Sequence, residues 1–224
     1  MIVLDGFNEG GVDFSDGFNR SDGAIGNGWE VFSSQGGDDP TIVSSKVRME
    51  LPTTTGGSPR TSMYYKVINS PSPTSLDAIG YNTTCGLDFN FVSNNEVATG
   101  LNFRLSPYSD LIDPSIVGRP YFAADIIRQK ISLVGSGSNN EKGFTIALDT
   151  WYSVEYLLLR SGSTVSIYAK VWERGTAKPA VWDISLLNTN YDKRDDYLFV
   201  WHAASTAIDP DSILDIDNVF YREG

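Results

Sequence analysis

KVRMEL, residues 46–51, decides the fold: Val47, Met49 and Leu51 are apolar, Lys46, Arg48 and Glu50 are charged, and a period of two puts each set on its own face. CGLDFNF at 85–91 repeats the pattern with Cys85, Leu87, Phe89 and Phe91 on one side. GLNFRL at 100–105 repeats it with Leu101, Phe103 and Leu105. Strands with one packed and one wet face are the habit of antiparallel sheets.

Outward from these stretches, further β-rich runs are expected at about 61–68, 121–134, 144–148, 152–160, 164–172, 180–186, 197–202 and 213–221. Segments rich in Gly, Asn, Ser and Pro separate them, among them TTTGGSP, VSNNEVATG, GSGSNNEKG and ERGTAKP, and these read as turns or loops. No window of ten or more residues carries a helical stripe, and no long repeat or low-complexity tail is present. Many short strands without intervening helices make two packed antiparallel sheets or a barrel. An all-β, two-sheet antiparallel jelly-roll sandwich is the expected fold, with its long connections at 69–80 and 106–120.

The chain has 224 residues, 41% hydrophobic and 12% aromatic, enough to fill one large sandwich core without disulfides or metals as staples. Its 28 acidic against 17 basic residues give a formal net charge of −11, and no basic cluster interrupts the sequence. Nucleic acids and anionic membranes, both held by Lys and Arg, are poor partners for such a chain. Cys85 is the lone cysteine, which excludes an intrachain disulfide and a thiolate zinc site. No run approaches 18 apolar residues, and the opening MIVLDGFNEGG lacks both a basic leader and a long apolar stretch, so neither membrane insertion nor a cleaved signal peptide is expected.

Three stretches carry a family resemblance. FSDGFNRSDGAIGNGWEV, residues 14–31, resembles the opening of concanavalin A-like or laminin G-like jelly-roll domains found in bacteriophage virion proteins, where a Phe-Asn-Arg-x-Asp-Gly run leads through a Gly-rich turn to a Trp, here Trp29. TWYSVEYLLLRSGSTVSIYAKVWERGTAKPAVW, residues 150–182, is similar to the central hairpin of those domains, and ILDIDNVFY at 213–221 to their last strand, which lies beside the first. The resemblance implies a single jelly roll over 13–224, preceded by an arm or edge strand at 1–12. Trp29 and Trp151 each follow turn residues and are expected to close an end of the core while their N–H groups reach loop carbonyls.

Glycosidases that cut laminarin-type glucans share this fold class and resemble one another in carrying Glu, Asp and Glu on one face of a single strand. This chain has no such strand; LDIDN at 214–218 offers Asp215 and Asp217, with Val219 next on that face. His202 is the sole histidine, in the apolar run YLFVWHAAS, and reads as a satisfied core or edge residue. No nucleophile elbow, His-Glu-x-x-His pair or phosphate loop is present, so the chain is expected not to be an enzyme.

No cofactor is required by any of these features. Calcium is the metal candidate because hard oxygen ligands abound. By resemblance a structural ion joins the opening segment to the last strand through Asp16 and Asp217, although Gly17 stands where glucan-cutting relatives have a carboxylate; solvated or turn-forming aspartates are the alternative. In VSIYAKVW, Val165, Ile167, Ala169 and Val171 take one face and Tyr168, Lys170 and Trp172 the other, a platform for stacked sugar rings or for a partner. At the opening, Ile2, Val3 and Leu4 on a Gly-rich hinge read either as an arm docking on a neighbouring subunit or as an ordinary first strand.

Three functions are carried forward in this order. The first is a non-enzymatic structural protein of a bacteriophage particle, a capsid decoration or cement protein at the virion surface, made in the host cytoplasm, whose partners are other virion proteins and further copies of itself. The second is a glycan-binding adhesin module. The third is a glycoside-active enzyme.

Overall fold

The computed structural model of the chain describes residues 13–31, 36–53, 59–66, 82–93, 100–108, 120–135, 137–161, 164–190, 197–206 and 211–223. The arm with Ile2, Val3 and Leu4 and the connection at 69–80 lie outside these residues. In chain order the strands are β1 (Asp13–Asp16), β2 (Gly23–Ala24), β3 (Trp29–Val31), β4 (Thr41–Ile42), β5 (Val47–Leu51) and β6 (Arg60–Lys66). Next come β7 (Thr83–Ser93), β8 (Leu101–Tyr108), β9 (Tyr121–Asp125), β10 (Lys130–Gly135) and β11 (Ser138–Gly143). The rest are β12 (Tyr152–Ser161), β13 (Thr164–Glu173), β14 (Ile184–Asn190), β15 (Tyr197–Ala204) and β16 (Ser212–Glu223). No helix occurs among the described residues.

The strands form two antiparallel sheets, one of nine strands in the order β14-β13-β12-β7-β16-β5-β4-β2 with β1 beside β16, the other of seven in the order β11-β10-β9-β8-β15-β6-β3. First and last strands are neighbours, Phe14 opposite Tyr221 and Asp16 opposite Val219. This is the jelly-roll sandwich that the alternation implies. Val47, Met49 and Leu51 of β5, and Phe89 and Phe91 of β7, are fully buried between the sheets. The rings of Phe89 and Phe103, one from each sheet, meet with centroids 4.5 Å apart.

Gly86 lets the middle of the larger sheet close up. A Cβ there would stand 2.3 Å from the Val154 carbonyl oxygen and 2.5 Å from the Phe220 ring, which lies over that position. Only glycine fits.

Five local features differ from the expectation. Residues 121–134 are a hairpin, β9 and β10, because Asp125 Oδ1 accepts hydrogen bonds from the Ile127 and Arg128 amides and closes a turn that the apolar pair Ile126–Ile127 conceals. GSGSNNEKG contains β11, an edge strand with every residue exposed, whose pairing with β10 needs only backbone groups. Residues 144–148 are not a strand, and the strand expected at 180–186 runs from Ile184 to Asn190. The fifth feature is a bulge in β16, where the register against β7 shifts between Asp217 and Phe220 and Asn218 takes a φ of 48°. The shift turns Val219 into the core, fully buried, instead of onto the face of Asp215 and Asp217.

His202 is a core residue. It is fully buried on β15, with Nε2 3.1 Å from Ser212 Oγ and Nδ1 3.4 Å from the Asn102 carbonyl oxygen, and burial lowers its pKa to about 4 against backbone hydrogen bonding at Asn102 and Ser212 that raises it.

Candidate functional site

Directly opposed residues of an antiparallel pair share a face, so register fixes what looks outward from the nine-stranded sheet. Ser153 stands opposite Trp172, Glu155 opposite Lys170, and Leu157 opposite Tyr168. On the other flank of β12, Ser153 meets Asp88 and Glu155 meets Gly86. Across β7, Asp88 faces Asp217 and Asn90 faces Asp215, and Asp215 faces Arg48 of β5. One band of aromatic, acidic and basic side chains thus crosses five strands.

Tyr168, Lys170 and Trp172 look away from the core, opposite the buried Val165, Ile167, Ala169 and Val171. The chain itself then folds back over them. After β13 the segment 174–183 returns to the sheet, pinned where the Asp183 amide donates to the Ala169 carbonyl at 2.9 Å and the Val171 amide donates to Asp183 Oδ2 at 2.9 Å. It brings Trp182 to 5.8 Å from Tyr168, ring to ring, with Lys170 Nζ 4.4 Å above the Trp182 centroid. Lys178 stands 6.0 Å from the Trp172 ring. Glu155 holds this end together, pairing with Lys170 at 3.2 Å and with Lys178. Tyr168, Trp172 and Trp182 are all half-buried, and Val181 beside them is exposed.

Trp151 belongs to the same face. It was expected at an end of the core, but it is half-buried on the sheet exterior with Lys46 Nζ 5.7 Å and Arg174 Cζ 5.3 Å from its ring centre. The residue that follows it, Tyr152, takes the inward position, which puts Trp151 outward. Arg174 bridges Asp88 at 3.2 Å and Asp217 at 3.1 Å. Asp88 also accepts from Ser153 Oγ at 2.6 Å and from Asn218 Nδ2 at 2.8 Å, a contact that exists because the bulge turns Asn218 to this side. Asp215, fully buried, is clamped by Lys46 at 2.7 Å and by the Arg48 guanidinium at 3.0 and 3.2 Å. Asn90, next to Asp215, is buried with its Oδ1 unpaired.

Asp16 and Asp217 do not meet. Asp16, opposite the core residue Val219, points to the interior side of the sheet, where it accepts from the Phe18 amide, Arg20, Asn27 and the Trp29 indole. Asp217 lies on the exterior face with Arg174. Among the described residues no group of three or more His, Cys, Asp or Glu gathers in a way that could hold a metal ion.

No protein-family model and no curated protein matches the chain. Solved structures do. Peanut lectin superposes with a TM-score of 0.60 at 13% identity, covering 96% of this chain and 98% of its own. Basic winged bean lectin gives 0.57 at 12% identity over 96% and 99%. An endo-1,3-beta-glucanase from Streptomyces sioyaensis gives 0.58 at 11% identity over 99% of both chains. The fold is the concanavalin A-like jelly roll. Identities this low establish the architecture and leave the activity to the residues of this chain.

Trp151, Trp182 and Arg174 are among the members of the face that alternation in VSIYAKVW does not reveal. Trp151 and Trp182 sit at the two ends of the resemblance stretch 150–182, outside its strands, and only the return of segment 174–183 places Trp182 over Tyr168.

Proposed function

We propose that the chain is a carbohydrate-binding module that works without covalent chemistry, and that the exterior face of the nine-stranded sheet is its binding surface. The supporting observation is the row of half-buried rings, Trp151, Trp172, Trp182 and Tyr168, set among hydrogen-bonding Asp88, Ser153, Asn218 and Arg174. Sugar rings present apolar C–H faces and a rim of hydroxyls, so aromatic platforms with fixed polar neighbours are the matching surface. The likeness to lectins fits this reading.

A hydrolase reading has less support. Glycoside hydrolysis needs one carboxyl group as acid and another as base or nucleophile. Asp88, Asp215, Asp217 and Glu155 of this face are each engaged by a cation of the same face. The virion role suggested by the sequence resemblance draws no support from the likeness to lectins and a glucanase, and no feature of this face favours it.

Binding of the purified chain to a panel of soluble polysaccharides, followed by gel mobility shift, tests the proposal. Binding that is lost in Trp172→Ala and Trp182→Ala, with circular dichroism unchanged, is the expected result. A chain that binds no polysaccharide, or variants that bind like the wild type, would overturn it.

A further inference from the structure

The exterior face is layered by charge. The carboxylates paired to cations across it lie low: the Asp215 side chain is 0% exposed, Asp88 12%, Glu155 14% and Asp217 16%. Four of its cations stand above them, Lys46 at 25%, Arg48 at 27%, Arg174 at 40% and Lys178 at 49%, while Lys170 lies among them at 11%. In sum the face is close to neutral, but what a ligand meets first is ammonium and guanidinium, in a chain whose formal net charge is −11. Such a layer is not what overall composition provides by default.

Cations occupy the ring faces as well. Lys46 and Arg174 both stand over Trp151, Lys170 over Trp182, and Lys178 near Trp172. A neutral sugar stacking on these rings must displace a cation and forfeit its cation–π attraction. An anionic sugar need not. Its carboxylate pairs with the cation where it stands, and the sugar ring lies along the aromatic surface that remains.

We infer that the glycan accepted by this face is anionic, a uronate-bearing polysaccharide whose carboxylates pair with the outward cations Lys46, Arg174 and Lys178 while its rings pack on Trp151, Trp172 and Trp182. The inference rests on the carbohydrate-binding reading and names its ligand class. The buried carboxylates then serve as anchors that fix the cations in position, as Asp88 and Asp217 fix Arg174 at 3.2 and 3.1 Å. Planar guanidinium and carboxylate groups also match in geometry, which favours a carboxylate over a spherical anion at Arg174.

Calorimetric titration with polygalacturonate, with alginate and with carboxyl-reduced polygalacturonate tests this, since the reduced polymer keeps the backbone and removes the charge. Laminarin serves as a second neutral polymer. Binding to at least one of the two uronate polymers is expected, weaker by about tenfold or more in about 0.5 M NaCl and after carboxyl reduction. Lys178→Gln, a change at an exposed side chain, is expected to weaken uronate binding several-fold without altering the melting temperature. Equal binding of the reduced and unreduced polymers, or preference for laminarin, overturns the anionic inference and leaves carbohydrate binding standing. Binding to none of the four overturns both.

Discussion

The Trp29 indole donates its N–H to Asp16 Oδ2 at 3.1 Å, across thirteen residues of the opening segment. That one carboxylate also takes both Nη atoms of Arg20, the Asn27 amide and the Phe18 backbone N–H. Trp29 closes the end of the core, with Phe14, Phe18 and Tyr65 around its ring, and Asp16 is what holds it there.

Burial pushes the Asp16 carboxyl up, but the hydrogen bonds from Arg20, Phe18 and Asn27, with the charge of Arg20, outweigh it and hold the group below the usual carboxylate value. A depressed folded-state pKa gives stability that is present above the unfolded value, 3.8, and lost as pH falls through the folded one. Asp16→Ala strands the Arg20 and Trp29 donors and is expected to cost about 3 kcal/mol at pH 7. Urea unfolding of wild type and Asp16→Asn from pH 7 to pH 2 checks the linkage: the gap between them should shrink below pH 4. A constant gap would mean that the carboxylate charge contributes nothing.

His202 gives a second pH dependence in a different window. Its pKa is about 4 when folded against 6.5 for the free side chain, so the unfolded chain binds the extra proton first as pH falls. Stability is therefore fully present above pH 6.5 and declines between 6.5 and about 4, by about 3 kcal/mol at the full shift. His202→Gln, which keeps a hydrogen-bonding group opposite Ser212, should flatten the unfolding midpoint across that window. A midpoint that falls as steeply in the variant assigns the effect elsewhere.

The readable parts of this fold are those in which side-chain period and burial agree over a few residues. KVRMEL, CGLDFNF and VSIYAKVW each show their inward set directly, and the structure buries Val47, Phe89 and Ile167 accordingly. The unreadable parts depend on backbone or on distant chain. β11 has no apolar residue to betray it, and the bulge at Asn218 shifts the phase of β16 without any glycine to mark it. The face itself was half legible: Tyr168, Lys170 and Trp172 follow from alternation, whereas Trp182 over Tyr168 depends on where segment 174–183 returns.

Gly86→Ala tests the close packing at the middle of the nine-stranded sheet. The new methyl would meet a backbone oxygen, Val154 O, at 2.3 Å, and a carbonyl within a ladder cannot swing aside as a side-chain tip can. Overpacking of this kind costs about 1–3 kcal/mol and occasionally more. The expected result is a urea midpoint lowered accordingly, or an insoluble product; a midpoint equal to wild type would show that the sheet separates freely at this point.

Glu155 and Lys170 offer a sharper measurement, because both partners are largely buried on the exterior face, 14% and 11% exposed in their side chains, and Lys170 has Trp182 above it at 4.4 Å. Removing one member of such a pair leaves the other charge in poor solvent, whereas replacing both removes the desolvation cost together with the attraction. Glu155→Gln is therefore expected to destabilise by about 2 kcal/mol, and Lys170→Met by less, since the methionine retains the apolar stem against Trp182 and Glu155 retains Lys178. The double variant should be more stable than the sum of the two losses by about 1 kcal/mol or more, the coupling energy of the pair. Thermal and urea unfolding of the four proteins closes the cycle. Strict additivity would show that Lys170 is held by the Trp182 ring and the sheet, with Glu155 serving Lys178 alone.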